Sequence, residues 1–277
     1  MIPGLLRLSL GGSLNRPDHV GMTHHGQSRQ PLQPDSALYP DVAAAGSLAA
    51  ALAQCAAENG LDLGEVRSSL DRPSLIHAGV ASRNPRLDHF NVNLGSEERV
   101  FLVAAWGEGV NLTCGSTEDL KALAKAAAAW YEGVPLAELH AAAPFLEVGT
   151  LAAAHERGPE HAVAEKWRGY LEPGLSVDLD LIRAAYAEPR LRALFPFTSH
   201  GSLQFSRCTG WPFSYDVSKI HPLGGDRYAV QHRGEKFAMV PAYTAQEAVA
   251  LVVARMPETW GPAVAGTEHE LRDRESC

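Results

Sequence analysis

The chain has 277 residues, with 24 Lys and Arg against 32 Asp and Glu and a formal net charge of −8. That balance, without any clustered run of Lys and Arg, argues against nucleic acid as a partner, because phosphate binding needs concentrated positive charge. Hydrophobic residues make up 45% and charged residues 20%, which is enough apolar chain for a real core. No apolar run approaches the roughly 20 residues that span a bilayer.

Residues 1–38 are rich in Gly, Pro, Ser, Gln and His and read as a disordered leader, with Met22 as an alternative start. No basic region precedes the mildly apolar N-terminus, so no signal peptide is expected. The first α+β unit is expected at 39–133. Its first helix begins near Ser47, an N-cap for SLAAALAQCAAENG, and stops at Asn59-Gly60. Short strands follow at 75–83, 87–94, 100–106 and 110–114, separated by turn signals, so an antiparallel meander is predicted. Ser116, with Asp119 three residues on, reads as the cap of a helix ending at Gly133.

Residues 134–175 read as a helical connector, with helices in PLAELHAAAPFLEV and HAVAEKWRGYLEPG. A second unit, 176–257, opens with a helix over Asp178–Leu194, interrupted by Pro189. Strands are predicted at 202–208, 227–233 and 236–243, and Gly224-Gly225-Asp226 reads as a hairpin turn. Thr244-x-x-Glu247 then opens a closing helix. Residues 258–277 read as a flexible tail. The fold class is therefore α+β, with mainly antiparallel meander sheets flanked by helices. Ser47 to Ser116 spans 69 positions and Asp178 to Thr244 spans 66, so one reading is a duplicated helix–sheet–helix unit.

Three stretches resemble an actinobacterial family of unknown function whose members carry the label "natural product biosynthesis protein". They are LYPDVAAAGSLAAALAQCAAENGL (38–61), AYAEPRLRALFPFTSHGSLQFS (185–206) and TAQEAVALVV (244–253). The resemblance spans roughly 38–265 and is most specific in the middle stretch. It implies an association with secondary-metabolite gene clusters and supplies no catalytic residues.

Thr198-Ser199-His200 is the strongest polar constellation. It reads either as a nucleophile beside a base or as a helix-to-strand turn whose hydroxyls bond the backbone. Cys208, with His200, Asp216, His221 and His232, reads as a Cys–His site or as unrelated side chains, since the spacings fit no metal motif. No metal and no cofactor is expected. Trp211, Phe213 and Tyr215 form an aromatic loop, either a recognition surface or a cap folded back on the sheet. His24-His25, His140, His155 and His161 read as solvated. Cys55, Cys114, Cys208 and Cys277 form no CxxC pair and read as buried or half-buried thiols of a reducing cytoplasm.

The expected function is an accessory or binding protein of bacterial natural-product biosynthesis, whose partner is a small-molecule or peptide intermediate or a pathway enzyme. The alternatives are a cofactor-independent enzyme using His200 as acid/base, with Ser199, Cys208 and Asp216 beside it, and an immunity-type interaction module.

Overall fold

The computed structural model describes residues 32–68, 74–172, 178–234 and 238–276. The leader up to residue 31, which contains Met22, and Cys277 lie outside the described residues.

The first half begins with α1 (Pro40–Ala45) and α2 (Leu48–Glu58), followed by β1 (Val66–Arg67), β2 (His77–Val80), β3 (Leu87–Leu94), β4 (Phe101–Gly107) and β5 (Val110–Thr117). Next come α3 (Leu120–Glu132), α4 (Leu136–Ala142) and β6 (Leu146–Glu147). The strands pair antiparallel in the order β1-β2-β3-β4-β5-β6. Alternation along β4 sends Phe101, Val103 and Ala105 inward and leaves Leu102 and Trp106 exposed. The inner row packs against Leu48 and Leu52 of α2 and Leu123 and Trp130 of α3, all fully buried. The alanines of those helices let their backbones approach the sheet closely.

The second half runs through α5 (Thr150–Arg157), α6 (Pro159–Leu171), α7 (Leu179–Ala187) and α8 (Pro189–Arg192). It then forms β7 (Phe195–Ser199), β8 (Ser202–Ser206), β9 (Lys219–Gly224), β10 (Arg227–Gln231) and β11 (Met239–Ala242), and closes with α9 (Ala245–Val253) and α10 (Glu268–Ser276). The second sheet is also an antiparallel meander, β11-β10-β9-β8-β7. Leu203, Phe205, Ile220, Tyr228 and Val230 face a helical layer that includes Trp167 of α6, Leu181 and Ile182 of α7 and Val252 of α9. Both edge strands carry a proline, Pro196 in β7 and Pro241 in β11, which blunts the edges against further pairing.

The class read from the sequence is the one observed, α+β with antiparallel sheets flanked by helices. Several local expectations change. The first described helix is α1, which starts with Pro40 and ends at Gly46 in the left-handed region, φ 87°. Ser47 does cap α2, accepting from the Ala50 amide at 3.1 Å. Ser116 caps nothing: it lies in β5, and Asp119 is the N-cap of α3, accepting from the Lys121 amide at 2.8 Å. The repeat register that pairs Ser116 with Thr244 therefore fails, although each sheet is still preceded and followed by a capped helix packed on its inner face. Thr244 caps α9 as expected, accepting from Glu247 N at 3.1 Å, while the Glu247 carboxylate accepts from Tyr243 N at 2.8 Å. The 134–175 stretch divides its packing, with α4 and β6 in the first core and α6 in the second. Within 258–277, α10 is seated through buried Leu271.

Three hairpins share one geometry, among them Gly225-Asp226 between β9 and β10, with φ 58° and 54°. Glu108-Gly109 joins β4 to β5 with φ 49° and 76°, and His200-Gly201 joins β7 to β8 with φ 50° and 78°. Positive φ at both central residues is the two-residue turn whose twist matches the strands.

Candidate functional site

The segment around Thr198-Ser199-His200 lines a groove of about 280 Å³ between the start of α7 and the β7–β8 end of the second sheet. Leu181 and Ile182 of α7, Leu203 of β8 and Pro222 of β9 supply apolar walls, and Asp178, Thr198, Ser199 and His200 supply the polar ones. The hairpin explains why the polar group collects here. Its first central residue needs φ > 0, a conformation in which His is several-fold enriched among non-glycine residues. That turn brings Ser199 and His200 together, with Oγ and Nδ1 3.0 Å apart.

The remaining polar groups of the groove, Asp178 and Thr198, each have partners outside its lining. Asp178 caps α7, its Oδ1 accepting from Leu181 N at 2.9 Å, and its Oδ2 accepts from the Tyr228 hydroxyl at 3.1 Å. Burial, reinforced by that carboxylate, pushes the Tyr228 hydroxyl up to about 12. Thr198 Oγ1 lies 3.3 Å from the Tyr170 hydroxyl, which burial also raises. Among the described residues His200 has a serine partner and no hydrogen-bonded carboxylate, so no Ser–His–acid relay is built from them.

The other candidates are dispersed. Cys208 is 0% exposed; its thiol lies 3.3 Å from Ser206 Oγ, and burial pushes it up, away from thiolate chemistry. Asp216 is bonded to Arg207 Nη1 at 2.9 Å and to Ser214 Oγ at 2.8 Å. Arg207 also pairs with Glu275 and lies 4.4 Å from the Trp260 ring centroid. This network joins β8, the aromatic loop and α10. His232 bonds Ser218 at 2.8 Å, both buried. Among the described residues no three His, Cys, Asp or Glu are grouped to hold a metal.

The aromatic loop divides its roles. Phe213 folds back onto the outer face of the sheet, its ring centroid 5.5 Å from Phe195 and 4.7 Å from Phe197. Trp211 and Tyr215 stay 53% exposed. Tyr215 is edge-on to Phe197 at 5.7 Å.

A second polar constellation on that outer face escapes the sequence reading. Ser202 Oγ is 2.7 Å from His221 Nδ1, and His221 Nε2 is 3.4 Å from Gln231 Oε1. An amide oxygen only accepts, so Nε2 carries a proton in this arrangement. Ser202 is only 3% exposed, so this chain of bonds ties three strands together and does not present a nucleophile. The available signal was Lys219 and His221 two apart, the spacing of one strand face. Pro222 hid it by arguing against a strand. His155, expected in solvent, is another miss. It is 7% exposed on α5, its ring 5.9 Å from Phe195, and Nε2 has no hydrogen-bond partner among the described residues.

A model described as a family of unknown function (DUF6193) matches residues 161–267. The match takes in the second sheet, the helices α7, α8 and α9 packed on it, and every residue of the groove. Residues 38–160, inside the span of the resemblance read from sequence, lie outside it. No curated protein and no solved structure matches the chain.

Proposed function

We propose that the protein is an accessory or binding protein of bacterial natural-product biosynthesis, which holds a small pathway intermediate in the groove between α7 and the β7–β8 hairpin. The observation that carries the binding reading is the groove's chemistry. Apolar walls meet a polar rim whose carboxylate already accepts two hydrogen bonds. Such a site fixes and orients a ligand. The link to natural products rests on the resemblance of the three stretches quoted from the sequence. The second reading, acid/base catalysis by His200, is favoured by one observation, its 3.0 Å approach to Ser199.

The test is product formation in a producing strain deleted for the gene and complemented with variants. Thr198 is exposed on the groove's rim, so Thr198→Trp fills the groove without entering the core. Binding predicts that His200→Ala, which removes one group of the polar rim, restores product in part and that Thr198→Trp does not. Catalysis predicts that His200→Ala fails as completely as the deletion. A deletion that leaves product unchanged removes the pathway assignment.

A further inference from the structure

On the opposite face of the same sheet lies a second groove, of about 210 Å³. Leu203 points to the helices and Gln204 to this face, so the two grooves are separated by the sheet itself. Gln204 of β8, Lys219 of β9 and Gln231 of β10 line it, with Tyr215, His232 and Arg233 at its sides. Lys219 and Gln231 are directly opposed across the β9–β10 ladder. The His221 Nε2–H donates to Gln231 Oε1, which fixes that amide.

The charge here runs against the rest of the molecule. The chain is −8 overall, yet among the described residues the groove is lined by two cations, Lys219 and Arg233, and no Asp or Glu. Burial, and after it Glu268, raises the Tyr215 hydroxyl, and Glu268 is itself bonded to Arg272 at 2.5 Å. Lys offers a point charge, Arg a planar fork of donors and Gln an amide donor, which together suit the several acceptor lone pairs of an oxyanion.

We propose that this groove is an anion site, taking a small molecule through a carboxylate or phosphate group held between Lys219 and Arg233. At about 30 Å³ per water the groove has room for roughly seven waters, enough for an inorganic phosphate or a short dicarboxylate. This inference is independent of the groove on the helical side, and either can fail alone.

The test is isothermal calorimetry of the whole chain with two probes, inorganic phosphate and succinate, at constant ionic strength held with sodium chloride. Variants are Lys219→Met, Arg233→Met and, as a charge control on exposed α3, Lys125→Met. Saturable binding of either probe is expected, weakened about tenfold or more by each groove variant and unchanged in the control. Phosphate alone binding assigns a phosphate group, and succinate alone a carboxylate. No saturable binding, or equal weakening by all three variants, overturns the site. Thermal melts without probe establish that each variant is folded, so a loss of binding reports the site.

Discussion

His155 makes the protein acid-sensitive in a calculable way. Its imidazole sits on α5 against Phe195, 7% exposed, with Nε2 unpartnered among the described residues. Burial lowers it to about 4, against an opposing attraction from Glu108 and with a further small push from Lys166. The unfolded chain, with its histidine near 6.5, binds the proton more readily than the native state through the window between these values. Stability is therefore intact above about pH 6.5 and falls as pH drops toward 4, where the loss levels off. At 1.36 kcal/mol per pH unit, the full difference is about 3 kcal/mol, and the part lost between about pH 7 and pH 5 is about 2 kcal/mol. Urea unfolding of the wild type and His155→Leu at those two pH values reads it. Carboxylates common to both proteins cancel in the comparison. The wild type should lose about 2 kcal/mol more than the variant. Parallel losses in the two proteins would refute the buried, neutral imidazole.

Three further outcomes follow from the local chemistry. Asp119→Ala should cost about 1 kcal/mol in chemical unfolding as α3 loses its cap, while Ser116→Ala stays within about 0.5 kcal/mol. His200→Gly should leave stability nearly unchanged, whereas His200→Val, a β-branched residue forced to φ 50°, should cost about 1–3 kcal/mol by the same measurement. Iodoacetamide should leave Cys208 unmodified in the native protein and alkylate it in concentrated guanidinium, read by peptide mass mapping.

Class and topology were legible where strands alternate, as β4 does, and where turns are punctuated. LDHFNVNL is the eight-residue β3, Leu87–Leu94, and of Gly224-Gly225-Asp226 the first ends β9 and the other two join it to β10. Strands that broke those rules were lost. The two-residue β1 and β6 have no periodicity to read, β7 begins Phe-Pro-Phe, and β9 contains Pro222. Proline is tolerated in β7 because it is an edge strand. The Ser116 misreading has a similar cause: Ser116 and Asp119 are both good cap residues, and only the β4–β5 pairing, which extends to Thr117 opposite Phe101, decides between them. The candidate site was legible in part. Thr198, Ser199 and His200 were visible as a polar cluster at a structural switch. Their neighbours Asp178, Tyr170 and Tyr228 arrive from 20 or more residues away, through packing that local spacing does not encode. Cys208 and Asp216 drew interest by residue type, and the fold spends them on burial and on the ion pair with Arg207.

Native mass spectrometry of the protein purified from a producing strain tests the central claim most directly. The wild type should carry one bound small molecule, His200→Ala the same mass at lower occupancy, and Thr198→Trp none. Bare wild-type protein, or the same mass retained by Thr198→Trp, would contradict a ligand held in the groove between α7 and the β7–β8 hairpin.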